Sequence, residues 1–163
     1  MAELKTIELK NEESETKGLE KSRLPDDAEN SIQGVRILLV EDNAINMEIA
    51  KCLLEEKEAV ITEAHNGKEA VEIFASSQEH AFDVILMDIM MPEMNGLDAT
   101  INIRNMKRAD AAAIPIFAMT ANAFAEDIKK CREAGMNEHF AKPLDMKKMV
   151  RTIHKYCEEG HEK

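Results

Sequence analysis

The chain has no tryptophan, one tyrosine and only 4% aromatic residues. A flavin or similar cofactor held by ring stacking finds little here to stack on. Cysteine is scarce too: Cys52, Cys131 and Cys157 are odd in number and widely spaced. They match neither a disulfide framework nor a zinc set, and fit reduced thiols of a cytoplasmic protein. No window approaches the roughly 18 apolar residues of a membrane span, and the N-terminus lacks an apolar signal core. Positive charge is in deficit, with 21 Lys and Arg against 32 Asp and Glu, a net charge of −11. Nonspecific nucleic-acid binding needs Lys and Arg to neutralise phosphates, so direct nucleic-acid contact is not expected. Residues 1–33 are poor in large apolar residues and show no periodicity. They read as a charged linker or disordered arm, with "LKTIEL" (4–9) open as a short strand or helical turn.

What is present begins at Gly34. The remaining residues suit one domain with its own core, 34–158, and a short tail, 159–163. Apolar runs of strand length alternate with helical patterns: "VRILLV" (35–40), "AVITEA" (59–64), "FDVILM" (82–87), "IPIFAM" (114–119) and "EHFA" (138–141). Between them, Ile45, Ile49 and Leu53 recur at i, i+4 and i+8, and Ala70, Val71 and Phe74 mark a second helix. Residues 97–106 read as a third helix. A fourth runs from about Glu126 to Ala134 and stops at Gly135. Met146, Met149, Val150, Ile153 and Cys157 give the last helix its apolar stripe. Strands that are apolar throughout, alternating with helices, indicate a doubly wound parallel α/β sheet with helices on both faces. Ligands in such folds bind beyond the carboxyl ends of the strands.

Those ends carry a distinctive set. The first strand ends in Glu41-Asp42, the third in Asp88, the fourth in Thr120 and the fifth in Lys142-Pro143. Three adjacent carboxylates raise one another's pKa unless a cation intervenes. A hard divalent ion is the natural relief, and Mg²⁺ fits best because it takes one or two carboxylates plus waters and a phosphate. Lys142 can pair with an anion, and Thr120 can donate to a phosphoryl oxygen. The set suits transient phosphorylation of a carboxylate. Taken singly, each residue has a plainer reading. Glu41-Asp42 can cap the next helix, Asp88 can hold a turn, and Lys142 can be plain surface. Only their joint fall at successive strand ends is specific.

The segments "ILLVEDNAINMEIA", "DVILMDIMMPEMNG", "PIFAMTANAF" and "FAKPL" resemble, in order and spacing, the receiver domains of two-component response regulators. "VEDNAIN", "MDIMMPEMNG" and "AMTANA" look most like receivers attached to hybrid sensor histidine kinases. The resemblance covers about residues 34–158. It implies a flavodoxin-like (βα)5 three-layer sandwich with strand order 2-1-3-4-5. It makes Asp88 the phosphoacceptor, Asp42 a direct Mg²⁺ ligand and Glu41 an acid acting through water. The backbone carbonyl of Met90 joins the metal site, with Mn²⁺ as the alternative ion. Thr120 becomes the switch hydroxyl, the Ala121 N–H a phosphate donor and Lys142 the phosphate-pairing lysine, with Lys142-Pro143 cis. Met90 and Asn122 flank the phosphoryl group, and a bulky Met90 implies slow self-dephosphorylation. The implied partner is a histidine kinase or histidine phosphotransfer domain, which docks near Asn43–Met47. The protein would be a monomer or a weak phosphorylation-dependent dimer. It would be cytoplasmic, with a parent that can be membrane-anchored. Phosphorylation would shift the face built by the fourth helix, fifth strand and fifth helix between pre-existing states.

One position departs from the family. His139 stands where a Tyr or Phe switch ring is usual, and reads as a smaller switch, a surface residue or a source of pH sensitivity. Met87, Met90, Met91 and Met94 cluster near Asp88. Packing explains them better than soft-metal binding. His65, His80 and His154 show no donor pattern. Three other functions compete. An aspartyl-nucleophile phosphatase would need an acid at position 90, where Met90 stands. A flavin carrier would need a phosphate loop where "EDNAIN" places two acids. A receiver-like interaction module that is never phosphorylated is not expected to keep all five site residues. Only 163 − 142 = 21 residues follow Lys142, too few for a helix-turn-helix effector. A stand-alone receiver and a piece of a hybrid kinase are both open, and the charged arm favours the second.

Overall fold

Along β1 (Arg36–Val40), successive side chains enter opposite cores: Leu38 and Val40 one, Ile37 and Leu39 the other. The same alternation runs through β3 (Val84–Asp88) and β4 (Ile116–Thr120). It is the period of two that every strand imposes. All five residues of β3 and of β4 are buried, as central strands covered on both faces must be. The computed structural model describes residues 30–121 and 124–162. The other strands are β2 (Val60–Ala64) and β5 (Glu138–Ala141). The five pair in parallel in the order β2-β1-β3-β4-β5, which is the topology expected.

The helices are α1 (Ala44–Glu56), α2 (Gly67–Ser76), α3 (Gly96–Arg104), α4 (Ala125–Ala134) and α5 (Met146–Glu162). One face of the sheet packs Met47, Ala50 and Leu54 of α1 with Met149, Val150 and Ile153 of α5. The other packs Ala70 and Phe74 of α2, Ala99 and Ile103 of α3, and Cys131 of α4. The last helix thus uses the stripe read from sequence.

The first helix does not. Ile45 is 71% exposed and Ile49 54%, while Met47, Ala50 and Leu54 face the core. Two stripes of helical spacing share this helix. Ile45 and Ile49 mark the outer one, Met47 and Leu54 the inner. Ile32 lies ahead of the expected boundary at Gly34, yet it is 1% exposed and packs in the α1–α5 core. The preceding residues 1–29 lie outside the described residues, and "LKTIEL" with them.

Asparagine starts three helices. The side chains of Asn43, Asn66 and Asn95 accept from backbone N–H groups of the first turns of α1, α2 and α3, each cap stabilising its helix by about 1 kcal/mol. Gly135 ends α4 in the left-handed region at φ 108°, as the sequence indicated. Its N–H and that of Met136 bond back to Arg132 O and Cys131 O at 3.1 and 2.9 Å, closing the helix end.

Candidate functional site

The strand register brings the candidate residues to one edge. Val40 pairs with Met87, Asp88 with Met119, and Thr120 with Ala141. Glu41 and Lys142 each follow one of these pairs directly, so the ends of β1, β3, β4 and β5 align. Glu41, Asp88 and Thr120 are buried, at 3%, 4% and 5% exposure, while Asp42 is exposed.

Glu41, Asp42 and Asp88 offer carboxylate oxygens that all lie within 4.8 Å of one another. Lys142 Nζ donates to Glu41 Oε2 at 2.7 Å and lies 3.3 Å from Asp88 Oδ1. Burial, followed by the negative charge of Glu41, pushes the Asp88 carboxyl up to about 7, although Lys142 pulls it back. Burial acts to lower the Lys142 pKa, but its hydrogen bond to Glu41 and the charges of Asp88 and Glu41 outweigh it, and the net shift is upward. One ammonium therefore serves buried carboxylates whose repulsion it does not cancel. An all-oxygen donor set with surplus negative charge fits a hard divalent cation such as Mg²⁺.

The backbone around the cluster is held from several sides. The Glu41 N–H donates to Ala64 O at 3.0 Å, and Glu41 Oε1 accepts from the Asn43 N–H at 3.2 Å. Asn43, not the acidic pair, caps α1. Beyond Asp88, the Ile89 N–H bonds to Met119 O at 3.1 Å and the Gly96 N–H returns to Ile89 O at 2.9 Å. A Cβ on Gly96 would collide with Asp88 O and stand 2.9 Å from Ile89 Cα, so only glycine permits this closure. Asn43 and Gly96 were not recognised as site residues from sequence. An Asn at a helix start next to an acidic pair, and a glycine after a cap, were the available signals.

Of the other candidates, Met90 lies two residues after Asp88 in the β3–α3 loop and is 72% exposed. Thr120 closes β4, and its carbonyl accepts from the Lys142 N–H at 2.8 Å. Ala121 is exposed just beyond it, and Lys142-Pro143 is cis. Asn122 lies outside the described residues. Phe140 points into the α1–α5 core, with its ring centroid 5.7 Å from that of Phe117. His139, on the opposite face of β5, is half-buried. It lines a small hollow with Ile128, Cys131, Arg132 and Met136 of α4 and its C-terminal turn, and neither Glu41, Asp42 nor Asp88 borders that hollow. The methionines divide by packing: Met87 and Met91 are core, Met94 lies against that core and Met90 is outside.

The family profile described as response regulator receiver domain matches residues 37–154. The chain is 35% identical over 153 residues to "Histidine kinase 1" of Arabidopsis thaliana, an alignment covering 76% of this chain and 13% of that protein. It is 37% identical over 131 residues to "Hybrid signal transduction histidine kinase I" of Dictyostelium discoideum, covering 77% and 8%. The chain thus spans a small part of the curated relatives it matches. Among solved structures, it superimposes on the receiver domain of sensor histidine kinase PA1611 from Pseudomonas aeruginosa, which has magnesium coordinated in its active-site cleft. The TM-score is 0.69 and the identity 34%, covering 77% of this chain and 98% of that one. A second match is the receiver domain of Saccharomyces cerevisiae Ssk1, crystallised with the histidine phosphotransfer protein Ypd1. The TM-score is 0.70 and the identity 28%, covering 79% and 92%.

Proposed function

Because the chain belongs to the response regulator receiver family of two-component signalling, we propose that it accepts a phosphoryl group on Asp88 from a phosphohistidine of a partner. One observation carries this reading. A buried carboxylate, raised to about 7, lies beside two further acids and 3.3 Å from a lysine ammonium.

An Asp88 oxygen attacks phosphorus, and a P–O bond forms. The P–N bond to the partner's imidazole breaks, and its electron pair returns to the ring nitrogen. Negative charge spreads over three equatorial oxygens as this happens. Lys142 is already directed at Asp88 and pairs with one of those oxygens. The Thr120 hydroxyl and the Ala121 N–H, at the neighbouring strand end, donate to the others. Glu41, Asp42, Asp88 and the Met90 carbonyl would hold Mg²⁺, or Mn²⁺ in its place, which supplies charge neutralisation and orientation at the transferring group. The protein remains a phosphoacceptor that promotes its own modification, and a bulky Met90 slows the return reaction with water. Signal output would follow from a shift of Thr120 and His139 at the α4–β5–α5 face.

Exposed apolar side chains lie on segments that follow the strand ends of the site: Ile45 and Ile49 on α1, Met90 after β3 and Phe124 before α4. This is the docking surface for a helical partner bearing the histidine, a histidine kinase or histidine phosphotransfer domain. Among the described residues no helix is long and apolar enough to cross a membrane. The parent reading is a hybrid kinase with its receiver in the cytoplasm. Incubation with a ³²P-labelled histidine phosphotransfer domain and Mg²⁺ tests the proposal. Label should move to this chain and fail to move to Asp88→Ala. Label on Asp88→Ala, or none on the wild type with several donors, would contradict it.

A further inference from the structure

We propose that Gly67, on a helix that supplies none of the site's side chains, is a positioning residue that sets the loop carrying Met90. The inference rests on the Mg²⁺ site proposed above. Gly67 is buried at the first position of α2. A Cβ there would collide with Met94 O and approach Met94 C and Cβ at 3.1 and 3.2 Å. Its φ lies outside the left-handed region, so the backbone conformation does not call for glycine, and helix propensity favours alanine. What glycine provides here is close approach: the α2 N-terminus abuts the carbonyl of Met94.

That contact matters because of what lies on either side. Met94 belongs to the loop between Asp88 and Asn95. The loop is closed at its base by the Gly96 N–H to Ile89 O bond. The Met94 side chain packs on the α2–α4 core, and its Sδ accepts from Asn102 Nδ2 at 3.7 Å. Three residues before Gly67, Ala64 O holds the Glu41 N–H at 3.0 Å. The short corner Ala64–Gly67 therefore touches both walls of the site, the β1 end with Glu41 and Asp42 and the loop with Met90. The spacing between these walls decides whether the Met90 carbonyl and the carboxylates can share one ion. Mg²⁺ demands near-ideal octahedral geometry and tolerates little displacement. A methyl group on Gly67 pushes against backbone, which cannot rotate away, and moves the loop.

The test compares the full chain with Gly67→Ala and with Lys68→Ala, an exposed neighbour. Mg²⁺ affinity is measured by titration calorimetry well below each melting midpoint, and amide NMR shifts report the loop. Gly67→Ala should weaken Mg²⁺ on the order of tenfold, with shifts centred on residues 89–95, and Lys68→Ala should match the wild type. A folded Gly67→Ala that binds Mg²⁺ as the wild type does overturns the inference, whatever its melting temperature. Should Gly67→Ala not fold, Met94→Gly releases the same loop while leaving α2 intact. It is expected to weaken Mg²⁺ in the same direction, and unchanged affinity there overturns the inference equally. A wild type that binds no Mg²⁺ would remove the site reading itself, a separate result.

Discussion

Lys142 Nζ donates to Glu41 Oε2 across 2.7 Å, joining residues 101 positions apart in the chain. The same ammonium lies 3.3 Å from Asp88 Oδ1. A single ammonium thus stands between two buried acids, where an incoming phosphoryl group would compete for it.

Removing that cation should expose the repulsion it masks. Lys142→Met leaves Glu41 and Asp88 buried beside each other without an ammonium. We expect a loss of about 1–3 kcal/mol at pH 8, below the full cost of breaking a buried pair because Lys142 is partly solvated. The loss should shrink at pH 5, where Asp88 is protonated, and Mg²⁺ should restore part of it. Urea melts at the two pH values, with and without Mg²⁺, provide the check. On the functional side, Lys142→Met should keep some phosphorylation and lose its conformational readout, which amide NMR of the phosphorylated or beryllofluoride-treated protein would report.

The pH dependence of stability has a definite sign. In the folded, metal-free protein the Asp88 carboxyl is raised from 3.8 to about 7, so folding favours its protonated form. Its stabilising contribution is complete below 3.8, falls as pH rises, and is lost once pH passes about 7. Asp88→Asn lacks that term. The variant should therefore gain stability relative to the wild type as pH rises from 4 to 8, by an amount on the order of 1–3 kcal/mol. Paired urea melts across this range measure the difference, in which carboxylates remote from Asp88 cancel.

Binding of a cation should displace the same proton. The wild-type Mg²⁺ dissociation constant should rise as pH falls below 7, approaching about tenfold per unit. Calorimetry in buffers of different ionisation enthalpy would detect proton release near pH 6. A dissociation constant flat from pH 8 to 5.5 would contradict the assignment.

The two faces of α1 should separate stability from recognition. Leu54 is fully buried, and Leu54→Ala should cost about 2–5 kcal/mol. Ile45→Ala and Ile49→Ala should change stability by no more than about 0.5 kcal/mol. They should nonetheless slow transfer from a phosphohistidine partner while leaving reaction with acetyl phosphate intact. Denaturant melts and the two phosphorylation assays separate these effects.

The sheet was legible in sequence because its strands are short, apolar and evenly alternated with helices. The strand-end acids, hydroxyl and lysine were legible because that alternation places them at one edge. The core face of α1 was misread because both of its stripes carry large apolar side chains, Ile45 and Ile49 on the outer and Met47 and Leu54 on the inner, and periodicity alone does not say which of two stripes faces the sheet. Asn66-Gly67 and Asn95-Gly96 carry the Asn-Gly pattern that locally signals only a turn. In the fold each is a cap followed by a glycine pressed against backbone of the β3–α3 loop. Such contacts lie between distant segments, and no local pattern encodes them. His139 shows the same limit, since strand alternation fixes its face of β5 but not the hollow it lines with α4.

The central claim is that Asp88 is the phosphoacceptor of a working receiver. Its most direct test is the intact mass of the full chain after incubation with acetyl phosphate and Mg²⁺, beside Asp88→Ala. The account predicts a gain of one phosphoryl group that chelator prevents and the variant lacks. No adduct on the wild type, together with no binding of beryllofluoride, would contradict it and leave an interaction module that works without phosphorylation.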